Sequence, residues 1–173
     1  PRRAYAGMVA AMDEAIGQIL ATLDARGFRT NTLIFFASDN GGPNPGRVSH
    51  NGPLRAGKGT VYEGGARVCA CAAWPGRIPA GASIPQPLHM VDWYPTLLKL
   101  AGAPLEPSRR LDGHDLLAVL TRGQPSPHDA ILINAAPRGG AIRVGDWKLV
   151  LNGAAGVGDG ESPGPAPKKG KRA

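Results

Sequence analysis

The feature that most constrains the fold of this chain is the segment TLIFFASDNGG, residues 32–42. Its apolar residues, Leu33 to Ala37, are consecutive and run directly into Ser38, Asp39 and Asn40. An unbroken apolar run of this kind is typical of a parallel strand that is buried on both faces. Because ligands of open α/β sheets bind at the carboxyl ends of the strands, Asp39 and Asn40 are candidate binding residues.

The hydrophobic pattern predicts a helix on each side of this strand. Residues 4–26 carry apolar side chains at three- and four-residue steps, and Gly27 is suited to end that helix. A second helix is predicted from Asp92, a good N-cap, to Gly102, with Pro95 in its first turn. A helix followed by a buried strand is half of a βαβ unit, so the predicted fold class is α/β.

Further strands are predicted along the remainder of the chain. Residues 66–73 are expected to form the next strand of the core, and residues 130–134 and 141–151 read as antiparallel strands. Within the last segment, Gly145–Asp146 lies between apolar ends as a hairpin turn. The predicted organisation is an α/β core over residues 1–103, a small antiparallel β subdomain over 104–152 and a disordered basic tail over 153–173.

Composition excludes several classes of protein. The hydrophobic fraction of 42% is sufficient for a folded core. The 25 glycines and 17 prolines follow no period, which excludes a fibrous protein. No apolar run reaches the roughly 18 residues of a membrane span, so no transmembrane segment is predicted.

The two ends of the sequence carry little information about function. No signal peptide is recognisable at the N-terminus. Residue 1 is proline rather than methionine, so we expect that the start of a longer chain is missing. The net charge of +7 includes four positive charges in the final KKGKRA. Because no aromatic residues alternate with these charges, no nucleic-acid partner is predicted.

The two cysteines, Cys69 and Cys71, are predicted to be small buried residues. Two residues apart in a strand, they would point the same way, which is poor geometry for a disulfide between them. A single Cys-Xaa-Cys also provides too few ligands for a zinc site.

Asp39 and Asn40 have the chemistry of a hard cation site. A carboxylate and a carboxamide offer oxygen donors that suit Ca²⁺ or Mg²⁺ better than a soft metal. Gly41 and Gly42 are expected to let the backbone turn and a ligand approach closely. The alternative is an ordinary turn, since Asp-Asn-Gly is a common turn sequence.

Lys58 is the candidate anion-binding residue. It lies between Gly57 and Gly59 in the segment NGPLRAGKGTVYEGGARV, residues 51–68. A lysine held between glycines can present its ammonium group to a tetrahedral oxyanion as a point charge. The alternative is a loop lysine in solvent.

Ordered segments along the chain resemble the motifs of the sulfatase family, most closely its arylsulfatase B-like and bacterial branches. The segments are SDNGG (38–42), NGPLRAGKGTVYEGGARV (51–68), WPGRIPAG (74–81), VDWYPTLLKLAGAP (91–104), LDGHDL (111–116) and AIRVGDWKLV (141–150). The resemblance implies a partial alkaline-phosphatase-like α/β fold and hydrolysis of sulfate esters. It also implies a Ca²⁺ ion held partly by Asp39 and Asn40, and contact of Lys58 with the substrate sulfate.

The resemblance also shows what this sequence lacks. Sulfatases carry an N-terminal half with a Cys/Ser-Xaa-Pro-Xaa-Arg motif, whose first residue becomes the formylglycine nucleophile. Neither Cys69 nor Cys71 is followed by Pro-Xaa-Arg. The chain therefore resembles the C-terminal part of a sulfatase, with the missing N-terminal half as an implied partner, and is expected to be inactive alone. His50 is a candidate for lining the substrate pocket, against the alternative of a surface histidine.

Several alternatives remain open from the residues. The remaining histidines, Glu63 and Arg67 are expected to be structural, with Glu63 and Arg67 holding the loop. The resemblance implies a sulfate-ester substrate, and the residues leave open whether it is an aryl or a sugar sulfate. Two other functions compete with a sulfatase: a phosphate-ester hydrolase of the alkaline-phosphatase superfamily, and a non-catalytic anion-binding fragment.

Overall fold

The computed structural model describes residues 1–43, 45–106, 108, 110–136 and 139–152. Four α-helices and five strands occur in these ranges, together with single 3₁₀ turns at Arg29–Asn31 and Met90–Asp92. In chain order they are α1 (Arg2–Ala25), β1 (Ile34–Ala37), α2 (Glu63–Ala66), β2 (Ala70–Ala73), α3 (Trp93–Leu100), α4 (Leu117–Arg122), β3 (Ile131–Ala136), β4 (Gly139–Val144) and β5 (Trp147–Leu151).

Helix α1 confirms the first predicted helix and ends as the sequence indicates. Gly27 has a positive φ of 69°. Its N–H donates to the carbonyl of Asp24 at 3.0 Å, and Phe28 N–H donates to that of Leu23 at 2.9 Å. These bonds use the carbonyls that the last turn leaves unpaired, and glycine adopts the left-handed conformation without a steric cost.

Helix α1 is also long and apolar enough to cross a membrane, by length and composition alone. A core helix or a signal sequence passes the same test. In this structure its apolar residues Val9, Met12, Ile16 and Leu20 line a groove together with β1 and β2. That placement favours a helix of the folded domain.

The prediction that β1 is a parallel strand buried on both faces is wrong. β1 pairs antiparallel with β2, with Ile34 opposite Ala73 and Ala37 opposite Ala70, and all four of its residues are half-buried. A parallel neighbour requires a crossover, usually through a helix that spans the sheet. Between β1 and β2 the described chain forms only the short helix α2, so it returns in the opposite direction.

The predictions for β2 and for the cysteines also need correction. The strand begins at Ala70 rather than at residue 66, because Glu63–Ala66 forms α2. Cys69 and Cys71 are exposed free thiols, not buried residues. Both line the groove beside α1, where a two-stranded ribbon leaves one face without a covering layer.

The apolar core of the described chain lies around α4. Leu116, Val119 and Leu120 are buried, with at most 7% of each residue exposed. Partly buried residues from earlier in the chain pack against them: Ala72, Ile78, Ile84, Leu88 and Trp93. The boundary predicted at residue 103 remains a prediction, and this core contains residues from both sides of it.

A buried carboxylate connects α3 to the segments around it. Asp92 begins the second helical region as predicted, but its side chain does not cap α3. It accepts hydrogen bonds from the N–H groups of His89 (2.7 Å) and His114 (2.9 Å). His128 Nε2 lies 2.8 Å from both carboxylate oxygens. Because buried charges need such partners, this arrangement explains why Asp92 is fully buried.

The C-terminal part forms a three-stranded antiparallel sheet in the order β3-β4-β5. The segment predicted as a strand over 141–151 is therefore the hairpin β4–β5, and Gly145–Asp146 forms its turn as expected. The predicted disordered tail, residues 153–173, lies outside the described residues.

Candidate functional site

One groove contains all four residues that the sequence suggested for the site. It has a volume of about 1420 Å³ and is lined by Asp39, Asn40, His50 and Lys58. The carboxyl end of β1 forms part of its wall, and α1 and β2 form other parts. The ligand-binding position expected at the end of this strand is thus an open groove in the folded chain.

The end of β1 is fixed by close backbone packing. Gly41 N–H donates to the carbonyl of Gly65 at 2.9 Å, and a methyl group at Gly41 would overlap the carbonyl oxygen of Gly64. A methyl group at Gly42 would overlap Ser49. Neither glycine has a positive φ. A positive φ is therefore not what requires glycine here: a side chain at Gly41 would overlap α2, and one at Gly42 would overlap Ser49.

Asn51 is an organising residue that sequence reasoning missed. Its Oδ1 accepts the N–H of Gly42 at 2.8 Å, and its Nδ2 donates to the carbonyl of Ala56 at 2.9 Å. One carboxamide thus joins the segment after β1 to the loop that carries Lys58. Nothing in the sequence around residue 51 indicated this role, because the partner Gly42 lies nine residues away.

The loop around Lys58, residues 51–62 and here named the lysine loop, rests on Gly42. Lys58 N–H donates to the carbonyl of Gly42 at 3.2 Å, which fixes its backbone beside the end of β1. Gly57 is buried and has no space for a methyl group, and Gly59 has a φ of 85°. Gly57 therefore lets the loop pack against neighbouring backbone, and Gly59 lets it adopt a left-handed conformation. The side chain of Lys58 between them remains exposed.

His50 is an exposed residue at the edge of the groove. Its Nδ1 accepts the N–H of Gly52 at 3.1 Å. This bond fixes the start of the lysine loop and makes Nδ1 the unprotonated nitrogen in the neutral ring. Nε2 then carries the hydrogen and is the ring atom that can donate to a bound group.

Glu63 anchors the far end of the lysine loop to the C-terminal sheet. Its Oε1 lies 2.7 Å from Lys148 Nζ, and its Oε2 lies 2.9 Å from Arg143 Nη1. Burial raises the pKa of Glu63, but the hydrogen bond and charge of Lys148 and the charges of Arg143 and Arg67 outweigh it, so the pKa lies below its ordinary value. Glu63 is therefore an anionic structural residue, as expected from the sequence, whereas its two partners were not predicted.

The donor atoms at the end of β1 fit part of a hard cation site. Asp39 is exposed and Asn40 is half-buried, and both line the groove. Across the described ranges, no hydrogen bond or ion pair occupies the side chain of Asp39, Asn40 or Lys58. No cluster of three or more His, Cys, Asp or Glu residues suited to a metal is found in the described part of the chain. Two oxygen-donating side chains fit Ca²⁺ or Mg²⁺ as a partial ligand set.

Comparison with known proteins identifies the family. A family model described as Sulfatase matches residues 1–103. Arylsulfatase J of Mus musculus is 38% identical over 146 residues, which are 84% of this chain and 24% of that protein. The chain thus spans about a quarter of that curated relative.

Solved structures agree with this match. The crystal structure of Ps i-CgsB in complex with k-i-k-neocarrahexaose has a TM-score of 0.77 and 36% identity, over 87% of this chain and 34% of that one. The PsFucS1 sulfatase from Pseudoalteromonas sp. has a TM-score of 0.72 and 34% identity, over 80% of this chain and 28% of that one. The fold is therefore part of an alkaline-phosphatase-like α/β domain. The chain belongs to the sulfatase family.

Proposed function

We propose that this chain is part of a sulfuric ester hydrolase and supplies a portion of its cation-binding and sulfate-binding site. The observation that carries the proposal is the shared groove, in which Asp39, Asn40 and Lys58 present side chains that no other described residue engages. The family match supports hydrolysis of a sulfate ester over a phosphate ester. The names of the relatives support aryl and carbohydrate substrates alike.

Asp39 and Asn40 are the residues we assign to a Ca²⁺ ion, with Mg²⁺ as the alternative. Their oxygens are hard donors, and Ca²⁺ takes roughly six to eight oxygen ligands. The remaining ligands must come from outside this pair. When bound, the ion supplies positive charge that offsets the negative oxygens of a sulfate group.

Lys58 is the residue we assign to the sulfate itself. A sulfate ester repels an incoming nucleophile because its oxygens are negative, and negative charge builds on the leaving oxygen as the bond breaks. A fixed ammonium lowers the energy of that transition state. The bond from Lys58 N–H to the Gly42 carbonyl holds the backbone of Lys58 beside the segment that carries Asp39 and Asn40. His50 lines the same groove, and its Nε2–H can donate to the substrate.

The role of Lys58 can be tested in a full-length sulfatase that contains this chain. We expect Lys58→Ala to lower turnover of a chromogenic aryl sulfate by roughly 10²-fold, the scale for losing one preorganised charge-stabilising group. Lys58→Arg should restore only part of the rate, because a planar guanidinium replaces a compact ammonium. Lys99→Ala is the matched control, since Lys99 pairs with Asp115 outside the groove. Full activity of Lys58→Ala would return Lys58 to an ordinary loop lysine.

The cation site can be tested in the 173-residue chain. We expect calorimetry to detect Ca²⁺ binding in the millimolar range or weaker, because two ligand residues provide few of the oxygens the ion needs. Asp39→Ala should abolish it. Micromolar binding lost in Asp39→Ala would mean that the chain holds a more complete site. The chain alone should not hydrolyse an aryl sulfate, because neither cysteine lies in a formylglycine motif.

A further inference from the structure

The hairpin β4–β5 carries two cations at directly opposed positions. Arg143 on β4 and Lys148 on β5 are register partners in the antiparallel ladder. Like charges directly opposite each other destabilise such a pair. The two side chains are only 23% and 13% exposed, so solvent screens their repulsion incompletely. This pair of positions is therefore favourable only with an anion between the two charges.

Glu63 provides that anion from 80 residues earlier in the chain. Each of its carboxylate oxygens takes one cation, at 2.9 Å from Arg143 Nη1 and 2.7 Å from Lys148 Nζ. Arg143 Nε also donates to the carbonyl of Gly145 at 3.0 Å, which fixes the guanidinium against the hairpin turn. The three side chains form a charged clamp, here named the Glu63 clamp, between the C-terminal sheet and α2.

The position of α2 determines the position of both halves of the site. Gly64 N–H donates to the carbonyl of Arg55 in the lysine loop at 2.8 Å. The carbonyl of Gly65 accepts the N–H of Gly41 next to Asp39 and Asn40, at 2.9 Å. Neither Gly64 nor Gly65 has room for a methyl group against the lysine loop. Displacement of α2 would therefore move Lys58 and the end of β1 relative to each other.

We propose that Glu63 is a positioning residue for sulfate binding, and that Arg143 and Lys148 are the C-terminal residues that hold it. The Glu63 clamp fixes α2, and α2 aligns Lys58 with Asp39 and Asn40. The C-terminal sheet contributes to the site through this contact. The sulfate-binding part of this proposal rests on the proposed function.

The first test measures the clamp itself by hydrogen exchange of backbone amides in the 173-residue chain. Lys148→Met and Arg143→Met remove the charge and keep the aliphatic stem, and Glu63→Gln removes the anion with little change in shape. Each should speed exchange of the Gly41 and Gly64 amides about tenfold, the scale of one charge-assisted hydrogen bond. Lys148→Arg should restore the slow exchange. Lys99→Met breaks an ion pair of the same 2.7 Å length elsewhere and should leave both amides unchanged.

An internal reference separates this local effect from general unfolding. The Leu120 amide, bonded to the Leu116 carbonyl at 3.0 Å, reports on the core. The proposal requires faster exchange at Gly41 and Gly64 with no change at Leu120. Equal acceleration at all three amides in Glu63→Gln would overturn it, and so would unchanged exchange in both methionine variants.

The second test measures binding of inorganic sulfate through the Lys58 amide resonance. We expect sulfate to shift this resonance in the parent chain, with about tenfold weaker binding in Lys148→Met and recovery in Lys148→Arg. A clamp that serves stability alone would leave the affinity unchanged, and that result would overturn the positioning role. If sulfate leaves Lys58 unaffected in the parent chain, the proposed function is contradicted, whereas the exchange measurement still decides the clamp.

Discussion

Helices α1 and α4 both carry apolar side chains, yet only α4 lies against a core. On α1 the residues Met8, Met12 and Ile19 are 64%, 45% and 61% exposed, and no residue of the helix is buried. Leu116 and Val119 at α4 are 0% and 4% exposed. The apolar side of α1 faces a groove and a two-stranded ribbon, whereas α4 is surrounded by strand, loop and α3 residues.

This difference shows what an apolar stripe in a sequence can predict. It indicates which face of a helix tends to be buried, but it does not indicate which segment packs against that face. The chain spans 24% of arylsulfatase J, so most of that relative has no counterpart in this sequence. Within the described chain, the apolar side chains around α3 and α4 are packed against other residues, whereas those of α1 remain partly or fully exposed. Paired substitutions in the two regions can measure how far they differ.

The largest effect is expected at Asp92. Asp92→Ala leaves His128 and two N–H groups without their carboxylate partner in a buried site. Each buried polar group left without a hydrogen-bond partner costs about 1–3 kcal/mol, so three such groups should lower the free energy of unfolding by at least about 3 kcal/mol. Glu14→Ala on the exposed surface of α1 is the control and should change the free energy of unfolding by less than about 0.5 kcal/mol. Urea unfolding of both variants provides the measurement. Equal losses of unfolding free energy would contradict the conclusion that the α3–α4 region is packed more tightly than α1.

The next effect concerns apolar contacts. Leu116→Ala should lower the free energy of unfolding by about 2–5 kcal/mol, because it removes a fully buried side chain from the core. Met12→Ala in α1 should change it by less than about 0.5 kcal/mol, because Met12 remains 45% exposed. Thermal and urea denaturation of the two variants measure the difference. A large loss in Met12→Ala would show that the α1 face is already covered in solution.

Glycine substitutions compare the same α1 region with the site. Gly41→Ala forces a methyl group against the backbone of Gly64 and should destabilise the chain by about 1–3 kcal/mol. Gly17→Ala in α1 meets no atom within 4 Å and should stabilise it by about 0.5–1 kcal/mol. Denaturation curves give both values. A neutral Gly41→Ala would mean that the end of β1 packs less closely on α2 than described.

The smallest effect is expected in the pH dependence of the free energy of unfolding, through Asp115 near α4 and Glu63 in the clamp. Burial raises the pKa of Asp115, but the hydrogen bonds from Lys99 and Leu117 N–H and the charges of Lys99 and Arg122 outweigh it. The pKa values of Asp115 and Glu63 therefore lie below their ordinary values of 3.8 and 4.5. Their stabilisation is complete above those ordinary values and is lost as the pH falls through the lower folded-state values.

Urea unfolding at a series of pH values below about pH 5 measures this loss. We expect a shallower decline in the Glu63→Gln/Asp115→Asn double variant than in the parent chain. The Asp13→Asn/Glu14→Gln double variant changes two exposed carboxylates of α1 and should retain the parent's slope. Identical slopes in all three proteins would contradict the assignment to Glu63 and Asp115.

Helices α1 and α3, the last hairpin and the chemistry of the candidate site could be predicted from the amino-acid sequence, whereas α2 and α4 were not predicted. Apolar periodicity and Gly27 defined α1, and the Gly145–Asp146 turn defined the last hairpin, because these signals act between residues close in the chain. Asp39, Asn40 and Lys58 were identifiable because carboxylate, carboxamide and ammonium groups have fixed binding preferences. The neighbouring glycines indicated that another group approaches the backbone closely, but the sequence did not show which group it is.

The contacts between these elements depend on tertiary packing. The direction of β1 against β2 depends on how the loop between them returns, which the composition of β1 does not specify. The exposure of Cys69 and Cys71 follows from a ribbon with one uncovered face. Glu63 contacts Arg143 and Lys148, which lie 80 and 85 residues later in the chain. Such long-range ion pairs produce no periodic pattern in the sequence. A charged residue in an ion pair therefore cannot be distinguished from a solvated surface residue by sequence alone.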